Sequence, residues 1–301
     1  MTYPKITGHD SKVPIAQINS IELCYEIIHP KPPPGENSPL LVESGTKLLL
    51  IQGLGGQLIS WDSQFVDELV SRGFEVIVFD NRDSGLSTKF ADSTVQPAYS
   101  IEDMADDALE LCAYLSLDPF HVLGISMGGM IAQALAIKAP SSLLSLCSIM
   151  STTGNRHVGM PTPEGIKAIM TKPGEDLESI IETGLKTWRV IWGSGFPIEE
   201  DRIKAKLEAE YERSYYPEGV MRQVMAIISA KDRTEQLGKL RIPVLVIHGQ
   251  DDPLIAVSGG QACANAIAQS KFVSYAGMGH SMPSPIIATM VDEIVANVSR
   301  S

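Results

Sequence analysis

The sequence has few cysteines, no long apolar run and fewer basic than acidic residues, and each shortage excludes a class of protein. Its 301 residues include four scattered cysteines and no Cys-x-x-Cys pair, so neither a disulfide framework nor a cysteine-based metal site is expected. No apolar run approaches the roughly 20 residues that a membrane-spanning helix needs. The 24 basic and 36 acidic residues give a net charge of −12, which disfavours nucleic acid and anionic membranes as partners.

The amino terminus also lacks the features of a secretory signal. Lys5, His9, Asp10 and Lys12 interrupt the first twenty residues, and no apolar stretch follows them. A chain of this length can bury a large core, and its 44% hydrophobic content is ordinary for a globular protein. We therefore expect a cytoplasmic protein. The sequence leaves its oligomeric state open, a homodimer included.

Apolar strand-like runs alternate with helical segments along most of the chain. Because such runs, separated by helices, bury both faces of a parallel sheet, the sequence predicts an α/β protein with a mostly parallel, eight-stranded sheet between two layers of helices. The predicted strands are a hairpin pair within 13–28 and the runs 47–52, 75–80, 120–123, 143–150, 244–248 and 271–275. The predicted helices of this part are 61–72, 100–115, the segment after Ser126, 258–268 and 285–298.

The strand–helix alternation stops between about residues 151 and 235. This stretch contains two helical segments, 177–192 and 203–213, and lies where a helical cap could cover the carboxyl ends of the strands, which is where open α/β sheets bind ligands. We therefore predict a core over 1–150, a cap insertion over 151–235 and the rest of the core over 236–301. A Pro-rich stretch from His29 to Gly35 is interpreted as a solvated surface connector.

Ser126 lies in Gly124-Ile125-Ser126-Met127-Gly128, between a predicted strand and a predicted helix. A Gly-x-Ser-x-Gly turn in this setting is a nucleophile elbow, in which a strained backbone lifts the serine hydroxyl above the sheet. The residues two before and two after the serine pass close together, and only glycine avoids their clash. The free N–H groups of the following helix face the place where an oxyanion would form. The alternative is a tight turn in which the serine is incidental.

A serine nucleophile needs a base, and His280 is the predicted one. Hydrolases with this elbow place their catalytic residues in the chain order serine, acid, histidine. Only His280 follows a late strand in a glycine-rich loop, from which an imidazole can reach back over the sheet. The other histidines are interpreted as strand-end or structural residues (His248, His121), surface residues (His9, His29) and a candidate substrate contact (His157).

The acid is expected in the preceding loop, Gly249-Gln250-Asp251-Asp252-Pro253. Pro253 restricts Asp252 to an extended backbone, which suits a carboxylate held toward a histidine. Asp252 is therefore the predicted acid. Asp251 is interpreted as a turn residue that caps the next helix.

Two backbone N–H groups are predicted to bind the oxyanion of an acyl-transfer intermediate. One is the amide of Met127, directly after the nucleophile. The other is assigned to the amide of Leu54, in the glycine-rich loop 52–56. A phosphate-binding loop is the rival interpretation, but the Lys-Ser/Thr pair that such a loop requires does not follow.

The predicted cap supplies candidate substrate contacts. Trp188 and Trp192 lie one helical turn apart and, with His157, are the substrate-binding residues that the sequence suggests. Methionines near the predicted site add to an apolar, adaptable pocket: Met127, Met130, Met150, Met278 and Met282. The same tryptophans and methionines are equally explained as core residues.

These segments resemble the α/β-hydrolase superfamily along almost the full chain, and more narrowly the bacterial ester hydrolases that include aclacinomycin methylesterase. The resemblance is carried by Ile51–Gly56 with Trp61, Phe79–Ser87, Gly124–Gly128, Trp188-Arg189 with Gly193–Pro197, Gly249–Pro253 and Gly277–His280. It implies a Ser126–Asp252–His280 triad, the Leu54 and Met127 amides in an oxyanion hole, and cleavage of a small-molecule ester with an apolar portion, without cofactor or metal.

The chain departs from many relatives in two places and leaves several reactions open. Gln52 stands where a histidine often precedes the oxyanion glycine, and the Pro-rich insertion near Lys31 is longer. The same triad also cleaves amides or C–C bonds, or carries out perhydrolysis, in similar folds. Dehalogenase and epoxide hydrolase chemistry is excluded, because both need a carboxylate at position 126. A non-catalytic ligand receptor on the same fold is the alternative outside enzymes.

Overall fold

The computed structural model describes residues 13–30, 41–91 and 98–301. The predicted Pro-rich connector from Lys31 onward and the first twelve residues lie outside these residues. Eight strands form one sheet. They are Ile15–Ile18 (β1), Ile21–Ile28 (β2), Thr46–Ile51 (β3), Phe74–Phe79 (β4), Phe120–Ile125 (β5), Leu143–Ile149 (β6), Val244–Gly249 (β7) and Ser270–Tyr275 (β8).

Ten α-helices occur in the described part of the chain. They are Ser63–Ser71 (α1), Ile101–Tyr114 (α2), Met127–Lys138 (α3), Pro163–Met170 (α4), Leu177–Ile191 (α5), Glu200–Arg213 (α6), Pro217–Ser229 (α7), Thr234–Leu237 (α8), Ser258–Ala266 (α9) and Ile287–Val298 (α10). Two starts follow from capping. Asp62 accepts the N–H groups of Gln64 and Phe65, so α1 begins directly after Asp62, and Ser100 forms a capping box with Asp103 at α2.

The strand order is β1-β2-β4-β3-β5-β6-β7-β8. The first three neighbours pair antiparallel, β1 with β2 and β2 with β4, and every later pair is parallel. Asn19 and Ser20, with φ of 43° and 66°, turn the chain between β1 and β2. The predicted eight-stranded, mostly parallel sheet is confirmed, and the carboxyl ends of β3 to β8 share one edge.

Two layers of side chains bury the two faces of the sheet. In β3, Leu49 and Ile51 pack in the layer beneath α2 and α3, while Leu48 and Leu50 pack in the layer beneath α1 and α10. This alternation explains the unbroken apolar run, because both faces of the strand are covered. Burying each leucine contributes about 1.5–3 kcal/mol, so the central strands form a rigid base for the loops that follow them.

Five helices, α4 to α8, separate β6 from β7. The predicted helices 177–192 and 203–213 correspond to α5 and α6, whereas α4, α7 and α8 are additions that the sequence did not predict. The division into core, cap and core remains a prediction. No helix within the described residues is long and apolar enough to cross a membrane.

Candidate active site

Ser126 lies between β5 and α3 with a backbone that few residues adopt. Its φ of 58° and ψ of −120° are strained for a residue with a side chain. A Cβ on Gly124 would lie 2.0 Å from the carbonyl oxygen of Gly128, and one on Gly128 would lie 2.0 Å from that of Ile51. Because neither glycine has a side chain, the two ends of the turn can pass close together, as the sequence predicted, and α3 can pack against β3.

Neighbouring strands and loops hold this turn in place. The Ser126 N–H donates to the Ile149 carbonyl at 2.8 Å, and the Ser151 hydroxyl donates to the Ser126 carbonyl at 2.8 Å. The backbone of Ser126 is thus fixed on both sides, while its hydroxyl has no hydrogen-bond partner among the described residues. A fixed backbone and an unpaired hydroxyl suit a nucleophile.

Asp252 and His280 form a direct pair at the same edge of the sheet. Asp252 follows β7, and its Oδ1 accepts the N–H groups of Leu254 and Ile255 at 2.8 and 2.9 Å. Its Oδ2 lies 2.7 Å from Nδ1 of His280, which follows β8. The backbone N–H of His280 donates to the Ile191 carbonyl at 2.7 Å, so the end of α5 anchors the loop that carries the imidazole.

The electrostatics of the pair keep the carboxyl ionised. Burial alone would raise the pKa of Asp252, whose side chain has no exposed surface. The positive charge of His280 and hydrogen bonds from His248, His280 and the Ile255 N–H outweigh burial, so the pKa is lowered. An ionised Asp252 accepts a hydrogen bond from the Nδ1–H group and leaves Nε2 of His280 as the basic nitrogen.

The structure joins His280 to Asp252 but does not join His280 to Ser126 by a hydrogen bond within the described residues. Strand order places all three at the same edge of the sheet, since β5, β6, β7 and β8 are consecutive neighbours and all three residues follow carboxyl ends. Bonds between base and nucleophile are often long before substrate binds, so the missing bond is compatible with a catalytic role.

The loop after β3 lies directly against the nucleophile. A Cβ on Gly53 would meet the Cβ of Ser126 at 3.1 Å. The backbone amides of Leu54 and Met127 donate no hydrogen bond within the described residues, as is required of donors kept for an oxyanion. Met127 is the first residue of α3, where N–H groups have no partner in the helix.

Gln52 supports this loop. Its Oε1 accepts the N–H of Gly53 at 3.0 Å, and its backbone carbonyl accepts the side-chain amide of Asn81 at 3.1 Å. The residue is 8% exposed. Gln52 therefore fixes the start of the loop after β3.

The three predicted substrate contacts occupy different environments. Trp192 is buried, and its carbonyl accepts the Gly279 N–H and the Ser281 hydroxyl, so its backbone supports the His280 loop. Trp188 is half-buried, with Nζ of Lys206 5.1 Å from its ring centroid. His157 is exposed in a cleft of about 390 Å³ formed with residues 154–156 and 229–232. A substrate contact for each remains a prediction.

The interpretation of Asp251 needs revision, and that of His248 needs an addition. Asp251 does not cap the next helix, because its carboxylate accepts the hydroxyl of Ser194 and Asp252 binds the N–H groups that follow. His248 is buried at the end of β7, as expected of a strand-end residue. However, its Nε2 lies 3.5 Å from Oδ2 of Asp252 and 2.7 Å from the Ile255 carbonyl, so it also contacts the acid.

The sequence did not predict α7, which contacts the loop after β3. Oε1 of Gln223 accepts the N–H of Gly55 at 2.8 Å. The signal for this helix was the Pro217-Glu218 pair, because proline in the first turn followed by an acidic residue is typical of a helix start. Among the described residues, no three His, Cys, Asp or Glu side chains are grouped as metal ligands.

Comparison with known proteins gives matches over most of the chain. A family described as the alpha/beta hydrolase fold matches residues 47–283. A rhodomycin D methylesterase from Streptomyces peucetius is 28% identical over 270 residues, 83% of this chain and 90% of that protein. A 3-oxoadipate enol-lactonase from Acinetobacter baylyi is 29% identical over 226 residues, 74% of this chain and 78% of that protein. The enol-lactonase structure from Burkholderia xenovorans superimposes with a TM-score of 0.70 at 22% identity and covers 96% of this chain and 100% of that one.

Proposed function

Because the chain belongs to the α/β-hydrolase family, we propose that it hydrolyses carboxylic esters through an acyl-enzyme on Ser126. The observation that supports this most is the strained serine at the start of α3, at the sheet edge that also carries the paired Asp252 and His280. Relatives that cleave a methyl ester and an enol-lactone support an ester as the substrate class.

The proposed reaction has two acyl-transfer steps. Nε2 of His280 takes the hydroxyl proton of Ser126, and Oγ attacks the ester carbonyl to form a tetrahedral oxyanion. The amides of Leu54 and Met127 bind that oxyanion, and His280 protonates the leaving alcohol. Water, deprotonated by His280, then attacks the acyl-enzyme and releases the acid. Asp252 holds the imidazole in the required tautomer throughout.

We propose a small-molecule ester with an apolar portion as the substrate and a reaction without cofactor, as the resemblance implies. Trp188 and Trp192 at the end of α5, and His157 in the loop between β6 and α4, are proposed as substrate contacts. A cytoplasmic location and a homodimer remain predictions from the sequence.

The same triad also suits amide, C–C bond or perhydrolysis substrates, and a ligand receptor would have no turnover. A panel of p-nitrophenyl esters, aminoacyl anilides and β-diketones, assayed beside ligand-induced thermal stabilisation, separates these functions. We expect the esters to be turned over fastest. Stabilisation by ligands without turnover of any substrate in the panel would contradict the proposal.

The first prediction concerns the nucleophile. Ser126→Ala removes the only atom that forms the acyl bond, so kcat/KM for p-nitrophenyl acetate falls by about four orders of magnitude while the circular dichroism spectrum is unchanged. Fluorophosphonate labelling followed by peptide mapping finds the label on Ser126.

Ser151→Ala is the matched control. It removes a neighbouring buried hydroxyl that bonds the Ser126 carbonyl, and it lowers kcat/KM by less than about tenfold because one neutral hydrogen bond is lost. Near-normal activity of Ser126→Ala, or a label on another residue, would overturn the assignment.

A further inference from the structure

Gln223 is a fully buried polar residue at the contact between α7 and two loops of the sheet edge. Its amide group is used completely. Oε1 accepts the N–H of Gly55 at 2.8 Å, and Nε2 donates to the Arg82 carbonyl at 2.9 Å and to the Ser84 hydroxyl at 3.0 Å. One side chain therefore connects the loop after β3, the loop after β4 and α7.

The Gly55 N–H belongs to a turn whose form depends on that bond. The Gly56 N–H donates to the Gly53 carbonyl at 3.2 Å, and Gly55 has φ of 70°, as in a type II turn over residues 53–56. Types I and II differ by a flip of the central peptide, here the one between Leu54 and Gly55. The acceptor on Gln223 holds that peptide in the type II orientation.

The consequence appears in the four successive N–H groups of this turn. The N–H of Gly53 is bound by Oε1 of Gln52, that of Gly55 by Oε1 of Gln223, and that of Gly56 by a backbone carbonyl. Of these four N–H groups, only that of Leu54 has no acceptor within the described residues. Two glutamine side chains thus leave a single donor of the loop available beside Ser126.

The rest of α7 is fixed to the same loops, so Gln223 cannot withdraw easily. Arg222 pairs in bidentate fashion with Asp83, at 2.8 and 2.9 Å, and the side chain of Asp83 has no exposed surface. The side chain of Val220 lies 3.1 Å from where a Cβ on Gly55 would stand. An ion pair therefore holds α7 to the loop after β4, and an apolar contact and a buried amide hold it to the turn.

We propose that Gln223 is a positioning residue for the oxyanion hole: by binding the Gly55 N–H it fixes the turn that presents the Leu54 N–H. This inference rests on the proposed function, in which that N–H receives the oxyanion. Docking of α7 is then a condition for transition-state binding, although Gln223 itself does not contact the reacting atoms.

Gln223→Met tests the proposal, because methionine keeps the length and volume of the side chain but cannot accept the Gly55 N–H. We expect kcat for p-nitrophenyl acetate to fall 10- to 100-fold, with KM changed less than about threefold. Affinity for a trifluoromethyl ketone, which forms the tetrahedral adduct, falls by the same factor as kcat. A role in stability alone would not make these two losses equal.

Gln223→Glu keeps an acceptor for the Gly55 N–H, and it recovers most of kcat and of the ketone affinity. If Gln223→Met is insoluble, Gln223→Asn carries the test, since its amide is one methylene too short to reach Gly55 and the same losses are expected.

Gln57→Met is the matched control, because Gln57 is another buried glutamine that connects the same region to a helix. Its Nε2 donates to the carbonyls of Glu210 and Ser214, at 2.8 and 2.9 Å, and does not bind the turn amides. It is expected to lower the melting temperature and leave kcat within about threefold. Unchanged kcat in the soluble Gln223 variant, or an equal loss in Gln57→Met, would overturn the positioning role. Absence of ester turnover in the unaltered protein would instead contradict the proposed function.

Discussion

At the scale of single residues, the histidine His121 shows how burial sets a protonation state. It lies in β5 with 3% of its surface exposed, and Nδ1 is 2.8 Å from the hydroxyl of Ser145 on the neighbouring strand. Among the described residues no carboxylate pairs with this ring, so burial lowers the pKa of His121 to about 4. The folded protein therefore keeps the imidazole neutral.

That neutral ring makes stability depend on pH. In the unfolded chain the pKa of a histidine is near 6.5. Between about pH 6.5 and 4, His121 is therefore protonated in the unfolded state and neutral in the folded state. Stability is lost as the pH falls through this window, by about 2 kcal/mol at pH 5 for this group. His121→Asn keeps a partner for Ser145 without the titration. Urea unfolding at pH 7.5 and 5 measures the decrease in unfolding free energy on acidification. This decrease should be about 2 kcal/mol smaller in the variant.

The comparison of the two proteins isolates His121, because every other titrating group is common to both. Equal losses of unfolding free energy on acidification would contradict a neutral, buried imidazole. A larger loss in the variant would contradict it more strongly, since asparagine has no proton to gain.

At the scale of elements, the turn between β5 and α3 depends on glycines because of space and not because of φ. Gly128 lies in α3, where any residue has acceptable dihedral angles, but a Cβ would stand 2.0 Å from the Ile51 carbonyl and 2.7 Å from that of Gln52. Gly45 is the reverse case. Its φ is 89°, and no atom of the described residues lies within 4 Å of where its Cβ would stand.

This contrast predicts two different costs. Gly128→Ala must push α3 away from β3, and we expect a loss of at least about 3 kcal/mol of unfolding free energy or no soluble protein. Gly45→Ala adds only backbone strain, about 1–2 kcal/mol. Urea unfolding followed by circular dichroism measures both. Similar losses in the two variants would contradict a steric role for Gly128.

The elements that could be predicted are those whose cause is local. The strands follow from apolar runs with both faces covered, and α2 follows from its capping box. In contrast, Tyr216 caps α7 without a side-chain hydrogen bond, so its start was marked only by Pro217-Glu218. Its stability comes from partners far away in the chain, such as Gly55, which is 168 residues from Gln223. Sequence patterns within a short segment give no information about a contact between residues so far apart in the chain.

The candidate site divides in the same way. Ser126, Asp252 and His280 each lie in a short motif after a strand. The chain order serine, acid, histidine then assigns a role to each. The roles of Gln52 and His248 depend on which loops meet in space, so residue type and spacing did not indicate them. The sequence indicated only that Gln52 differs from the residue expected from the resemblance. The structure gives it a role through its contact with the Gly53 N–H.

At the scale of the whole molecule, the helices between β6 and β7 supply cations to buried carboxylates of the sheet edge. Arg213 of α6 lies 2.8 Å from Asp80, and Arg222 of α7 pairs with Asp83. Neither carboxylate has exposed side-chain surface. Removing one partner of a buried pair costs about 3–5 kcal/mol, because the remaining charge stays in the interior. The helical part and the sheet therefore depend on each other.

Such dependence predicts one cooperative unfolding transition. Two of the three tryptophans, Trp188 and Trp192, report on the helices, whereas far-ultraviolet circular dichroism reports on the whole chain. In urea the two signals should coincide for the unaltered protein. With both Arg213→Met and Arg222→Met, the fluorescence transition should move to lower urea and precede the loss of circular dichroism. Arg189→Met is the control, since its pair with Glu200 is exposed and joins only α5 to α6, and both transitions should stay coincident. Separate transitions in the unaltered protein would contradict the coupling, because the helices would then unfold without the charges they hold.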